Sequence, residues 1–172
     1  MSPSPPSRPD LLTIAIGGVG VLITALALGL MATPSSAFLA PFASTAAIKY
    51  AAPDNPIAQP RSVVGGHMLG VLAGVGVGAI LPGPIVGPAI AAALSVGLMI
   101  PTSTMHPPAA AVAVIAQQHA GHPWDSIAAV VVALAVSTAC AVVLYRVLHR
   151  QAYPAPGWSE GLLPRRAAAG EN

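Results

Sequence analysis

Four apolar runs, broken by prolines and clusters of polar residues, give this chain its rhythm. Leu11–Met31, Ser62–Leu81, Ile85–Ile100 and Ser126–His149 each predict a long helix, close to the ~20 apolar residues that a membrane span requires. Two short helices are predicted between them, Pro41–Ala52 and Pro107–Gln118. Each opens on a proline, which suits the first helical position but cannot extend a helix already running. The second is roughly 18 Å long, about half a bilayer. A polar break precedes each: Thr33–Ala40, and Pro101-Thr102-Ser103-Thr104-Met105-His106. His106 is expected to cap the helix after it, and Ser62 and Asp125 to cap two of the long ones. Pro53-Asp54-Asn55-Pro56 and Pro82-Gly83-Pro84 read as turns.

The flanks differ in kind. Residues 1–10 and 151–172 are proline-rich and read as disordered tails, which leaves 11–150 as a single transmembrane domain. Leu11–Met31 exceeds the ~7–15 apolar residues of a signal peptide and is followed by further apolar runs, so it is read as a retained span.

Displacing the chain by 67 residues lays one half on the other. Pro34-Ser35-Ser36 falls on Pro101-Thr102-Ser103, Pro41 on Pro108, Ile48 on Ile115 and Pro56 on Pro123. The expected fold is therefore an all-α polytopic membrane bundle of two repeats, about 11–81 and 85–149. Each repeat holds two long helices and one proline-started half-helix. Proteins built this way bind solutes between the two breaks.

Composition supports the bilayer and removes other classes. The chain is 55% hydrophobic and 7% charged, against about 25% charged in a soluble domain. The net charge of +2 arises at the ends and reports topology rather than a nucleic-acid partner. If each break and half-helix together cross the membrane, Arg8, Lys49, Arg61, Arg146, Arg150, Arg165 and Arg166 share the cytoplasmic side with both termini. If the half-helices re-enter instead, Lys49 and Arg61 fall outside, so six crossings are favoured over four. The expected location is the inner (plasma) membrane of a bacterium. Cys140 is the lone cysteine, which excludes an intrachain disulfide.

The chemistry suggested is binding rather than catalysis. There is no nucleophile–base arrangement, no P-loop and no dinucleotide fingerprint, so no enzyme, cofactor or metal is expected. The carboxylates Asp10, Asp54, Asp125, Glu160 and Glu171 lie at or beyond helix ends. The candidate substrate-binding residues are His106, Pro107, Pro108, Thr102, Ser103 and Thr104 at one break, Ser44 and Thr45 at the other, and His67. Backbone N–H groups at the two half-helix starts, with these hydroxyls and imidazoles, favour a small anion. Lys49 is expected to snorkel to water. Gly66, Gly70, Gly74 and Gly78 recur every fourth residue and allow close helix packing, within the chain or at a homo-oligomer interface. The expected function is a transporter or channel for a small inorganic anion. A conduit for a neutral solute (ammonia, water, nitrous acid) and a non-transporting scaffold are the alternatives.

The chain resembles the HPP family of integral membrane proteins between about residues 38 and 148. The resemblance rests on Pro41-Phe42-Ala43-Ser44, on the stretch from Ala52-Pro53-Asp54-Asn55-Pro56 through Gly65-Gly66-His67, and on His106-Pro107-Pro108. It implies a four-span description and makes nitrite the leading cargo. Ala43, Ala110 and Val112 depart from the glycine, glycine and threonine that similar proteins tend to carry there.

Overall fold

The computed structural model describes residues 11–30, 35–146 and 153–154, and among these all regular structure is helical. α1 spans Leu11–Leu30, α2 Leu39–Ala51, α3 Pro60–Ile80, α4 Val86–Met99, α5 Pro108–Gln118 and α6 Pro123–Leu144, with 3₁₀ turns at Ser35–Phe38 and Pro56–Ala58. The two tails, apart from Tyr153 and Pro154, lie outside the described residues, as do Met31 to Pro34 and residues 147–150.

Prolines set several helix starts where capping side chains were expected. Pro60 opens α3 and Pro123 opens α6, with no side-chain cap bond from Ser62 or Asp125. A proline at the first position fixes φ and sacrifices an N–H that has no partner anyway. Pro41 behaves differently. The 3₁₀ turn Ser35–Phe38 feeds directly into α2, so the helix starts at Leu39 and Pro41 sits inside its first turn. That is tolerated because the first four N–H groups donate no bond within the helix.

The glycine stripe on α3 is filled by α5. A Cβ on Gly66 would lie 2.9 Å from both the His106 Cβ and the Thr104 carbonyl oxygen. One on Gly70 would meet the Ala109 carbonyl, one on Gly74 the Ala113 carbonyl, and one on Gly78 Ala120 and the Gln117 carbonyl. Contacts advance together along both helices, so α3 and α5 run parallel in near-backbone contact. Of the two expectations for this stripe, packing within the chain is the one observed: α5 covers that face.

The same spacing recurs 67 residues later, with Ala133, Ser137 and Ala141 on α6 at the positions of Gly66, Gly70 and Gly74. All three are buried. Phe42 shares a core cluster with Ala133 and Leu134, and Ala46 and Tyr50 share another with Ala141 and Tyr145. α2 thus shares side-chain clusters with α6, but far more loosely than α5 packs on α3. Outside this core the helices present large apolar side chains, including Leu72, Leu94, Val131 and Val143. α3 and α6 are long and apolar enough to cross a membrane.

Gly74→Val should therefore disrupt the α3–α5 contact, while Gly76→Val, whose Cβ meets nothing within 4 Å, should be tolerated. Thermal unfolding in detergent should show G74V destabilised by about 1–3 kcal/mol or more, the usual range for overpacking, and G76V close to wild type.

Candidate functional site

Three polar side chains meet where α2, α3 and the start of α5 converge. Thr45 projects from the second turn of α2, His67 from the second turn of α3, and His106 immediately precedes Pro107 and α5. All three are fully buried, at 0% exposure. The Thr45 hydroxyl lies 3.0 Å from His106 Nε2, 3.3 Å from His67 Nε2 and 2.9 Å from the Pro41 carbonyl. Each imidazole is anchored through its other nitrogen: His67 Nδ1 donates to the Val63 carbonyl at 2.7 Å, and His106 Nδ1 to the Ile57 carbonyl at 2.8 Å. The two rings are 4.9 Å apart, and Phe42 stacks on His67 at 4.5 Å. His106 does not cap α5. Its side chain is committed to Ile57 and Thr45 instead.

One turn beyond Thr45, Lys49 is also at 0% exposure. Its ammonium donates to Ser137 Oγ at 3.1 Å and Thr138 Oγ1 at 3.3 Å on α6. The expectation that Lys49 reaches water is overturned, because α6 closes over it. Near it the Tyr145 hydroxyl donates to the Lys49 carbonyl at 2.8 Å.

The expected site residues do not all gather here. Thr102 donates to the carbonyls of Leu98 and Met99, and its hydroxyl lies 2.8 Å from that of Thr104. These hydroxyls thus finish α4. Arg61 holds the Thr102 carbonyl at 2.9 Å, and Ser103 occupies the turn with a φ of 54°. Ser44, Pro107, Thr102 and Ser103 are exposed, and Pro108 is buried.

Backbone N–H groups are a weaker resource than the sequence suggested. Pro107 and Pro108 have none, and those of Ala109 and Ala110 already donate to the carbonyls of His106 and Pro107. The start of α2 lies in apolar surroundings, with Phe38 and Phe42 in one cluster with Val71, Val112 and Leu134. The picture of two positive helix ends facing a shared point is corrected accordingly. Side chains supply the polarity of this site.

At the far end of α5 a separate cavity of about 620 Å³ is lined by Gly78, Pro82, Gly83, Gln117 and Gly121, among others. Gln117 donates to the Leu81 carbonyl at 3.0 Å, while its buried Oε1 has no partner among the described residues. Among the described residues no three His, Cys, Asp or Glu side chains converge as a metal site would need.

Thr45 and Lys49 are the residues whose importance the sequence understated. The available signal was their i, i+4 spacing, which puts both on one face of α2, and the Ser137-Thr138 pair interrupting the last apolar run.

Residues 4–154 match the HPP transmembrane region. Two transmembrane proteins of Dictyostelium discoideum are each 29% identical to the chain, over 125 and 128 residues. These alignments cover 68% and 70% of this chain and 44% and 41% of the relatives, so the chain spans less than half their length. No solved structure matches it. Helices with lipid-compatible surfaces, a His106-Pro107-Pro108 junction whose His106 and Pro108 are buried, and a match that spans the described residues agree: the chain belongs to the HPP family of transmembrane proteins.

Proposed function

We propose that the protein is a transporter or channel for a small inorganic anion, with nitrite the first cargo to test, bound beside Thr45, His67, His106 and Lys49. The observation that carries this reading is Lys49. A lone ammonium in hydrocarbon surroundings is held at a cost of several kcal/mol unless it is paired. Its bonding partners among the described residues are neutral hydroxyls, and Asp54 and Asp125 are both exposed. A cationic site of this kind attracts a negative cargo and repels a positive one. Thr45 and the imidazoles, one turn away, would then replace part of the anion's hydration shell.

The helix directions support six crossings in two inverted triplets. α5 runs parallel to α3 from the level of Gly66 to that of Gly78, so the break at residues 100–106 and α5 together traverse the same depth as α3. On this reading the chain carries flux and performs no covalent chemistry.

A neutral solute is the second reading. It is favoured by the complete burial of the three polar side chains, since desolvation penalises an ion most.

Nitrite uptake into proteoliposomes should fall at least about tenfold in His106→Ala, and unchanged flux would remove that residue from the pathway. Lys49→Met separates the two readings. It should reduce nitrite flux by about tenfold or more, a change of about 1.4 kcal/mol in the barrier, while leaving the folded yield intact. Flux of a neutral solute such as ammonia should be preserved or raised. Equal flux of nitrite in K49M and wild type would refute the cationic site.

A further inference from the structure

The Val63 and Ile57 carbonyls determine how many protons the buried cluster can hold. A carbonyl oxygen can only accept, so Nδ1 of His67 and Nδ1 of His106 both carry hydrogen. If both rings are neutral, both Nε2 atoms are then bare acceptors. They face one hydroxyl, Thr45, which has a single hydrogen and a third acceptor in reach, the Pro41 carbonyl. Three acceptors would compete for one proton, and at least one imidazole lone pair would face an oxygen lone pair. In a site shielded from water such a mismatch costs about 1–3 kcal/mol.

One additional proton removes the conflict. Nε2–H of one imidazole donates to Thr45 Oγ1, the Thr45 hydroxyl donates to the other Nε2, and both Nδ1–H groups keep their carbonyls. The Pro41 carbonyl retains its helical N–H partner. We infer that His67, Thr45 and His106 form a hydroxyl-bridged relay that holds one shared proton and takes it up together with the anion; the second half of this statement rests on the function proposed above. Transfer is balanced: Nε2 of His67 gives its proton to Thr45 Oγ1, whose own proton passes to Nε2 of His106. One unit of charge moves from α3 to the start of α5, and no other bond changes.

The charged groups around the relay explain the link to the anion. Lys49 on α2 bears on both imidazoles. Asp54 in the α2–α3 loop and Arg61 at the start of α3 are further from the rings along their own elements. α5 has no titratable residue, and α6 offers Cys140 beside Lys49. A second positive charge near Lys49 is opposed until a negative ion arrives, so proton and anion favour each other's binding.

The repeat supplies an internal comparison. Displaced by 67 residues, His106, Thr45 and His67 fall on Leu39, Val112 and Leu134, which pack in the apolar cluster at the start of α2. Valine keeps the shape of threonine without the hydroxyl. The positions matched by the 67-residue displacement thus carry no titratable side chain, so the relay occurs once among the described residues.

The test is ¹⁵N spectroscopy of ¹⁵N-histidine-labelled protein in lipid bilayers, with and without nitrite, together with proton and nitrite uptake by proteoliposomes. Wild type should show both buried rings protonated at Nδ1 and, with nitrite, one Nε2 proton shared between them, lost in a single titration step. Uptake should approach one proton per nitrite. Thr45→Ser should retain both properties. Thr45→Val should yield two unlinked imidazoles and a proton-to-nitrite ratio near zero. Two neutral rings in the presence of nitrite, or two independent steps unaffected by T45V, would overturn the relay. The wild-type spectrum decides this even if T45V fails to fold. A shared proton without nitrite flux would support the relay and retire the anion reading; nitrite flux through two unlinked neutral rings would do the reverse.

Discussion

The contact on which this structure depends is the near-backbone approach of α3 to α5. Gly66, Gly70, Gly74 and Gly78 leave no side chain between them, and the α5 backbone occupies that space. In lipid the hydrophobic effect gives helices little reason to associate, so close packing of this kind must hold them together. The functional consequence is local. Gly66 lies under the His106 Cβ, and one residue further along α3 stands His67. Any bulk at Gly66 would push the two imidazoles apart, and Thr45 could no longer reach both.

Much of this arrangement was readable in the sequence because prolines and glycines act through the backbone, whose rules are local. The half-helix after His106-Pro107-Pro108, the fourfold glycine spacing and the turn at Pro82-Gly83-Pro84 all follow from such rules. Side-chain destinations were less legible. Ser44 and Thr45 are adjacent and chemically alike, yet helical geometry turns one outward and the other into the cluster. Lys49 has the flexible stem that usually reaches water, and only the tertiary placement of Ser137 and Thr138 keeps it buried. The caps expected at Ser62 and Asp125 lost to prolines already at the first helical position.

The two halves match in the placement of prolines along the sequence and differ in chemistry. Small residues on α6 stand at the spacing of the α3 glycine stripe, but α2 meets α6 only through side chains, whereas α5 meets α3 at the backbone. The polar cluster has no counterpart: leucine, valine and leucine stand at the matching positions. The histidine–threonine cluster therefore occurs once among the described residues. Lys49 shows the same asymmetry, since Ala116 occupies the equivalent position. A negative solute crossing this protein would meet its cationic groups on the α2 side of the bundle.

The central claim is that the buried cluster at the α2–α5 junction is a seat for an anion, and anomalous diffraction from bromide-soaked crystals tests it most directly. The account predicts a bromide peak within hydrogen-bond reach of Thr45, His106 or Lys49, displaced by excess nitrite and absent in K49M. Bromide confined to the protein surface, with the cluster unchanged at saturating concentration, would contradict it.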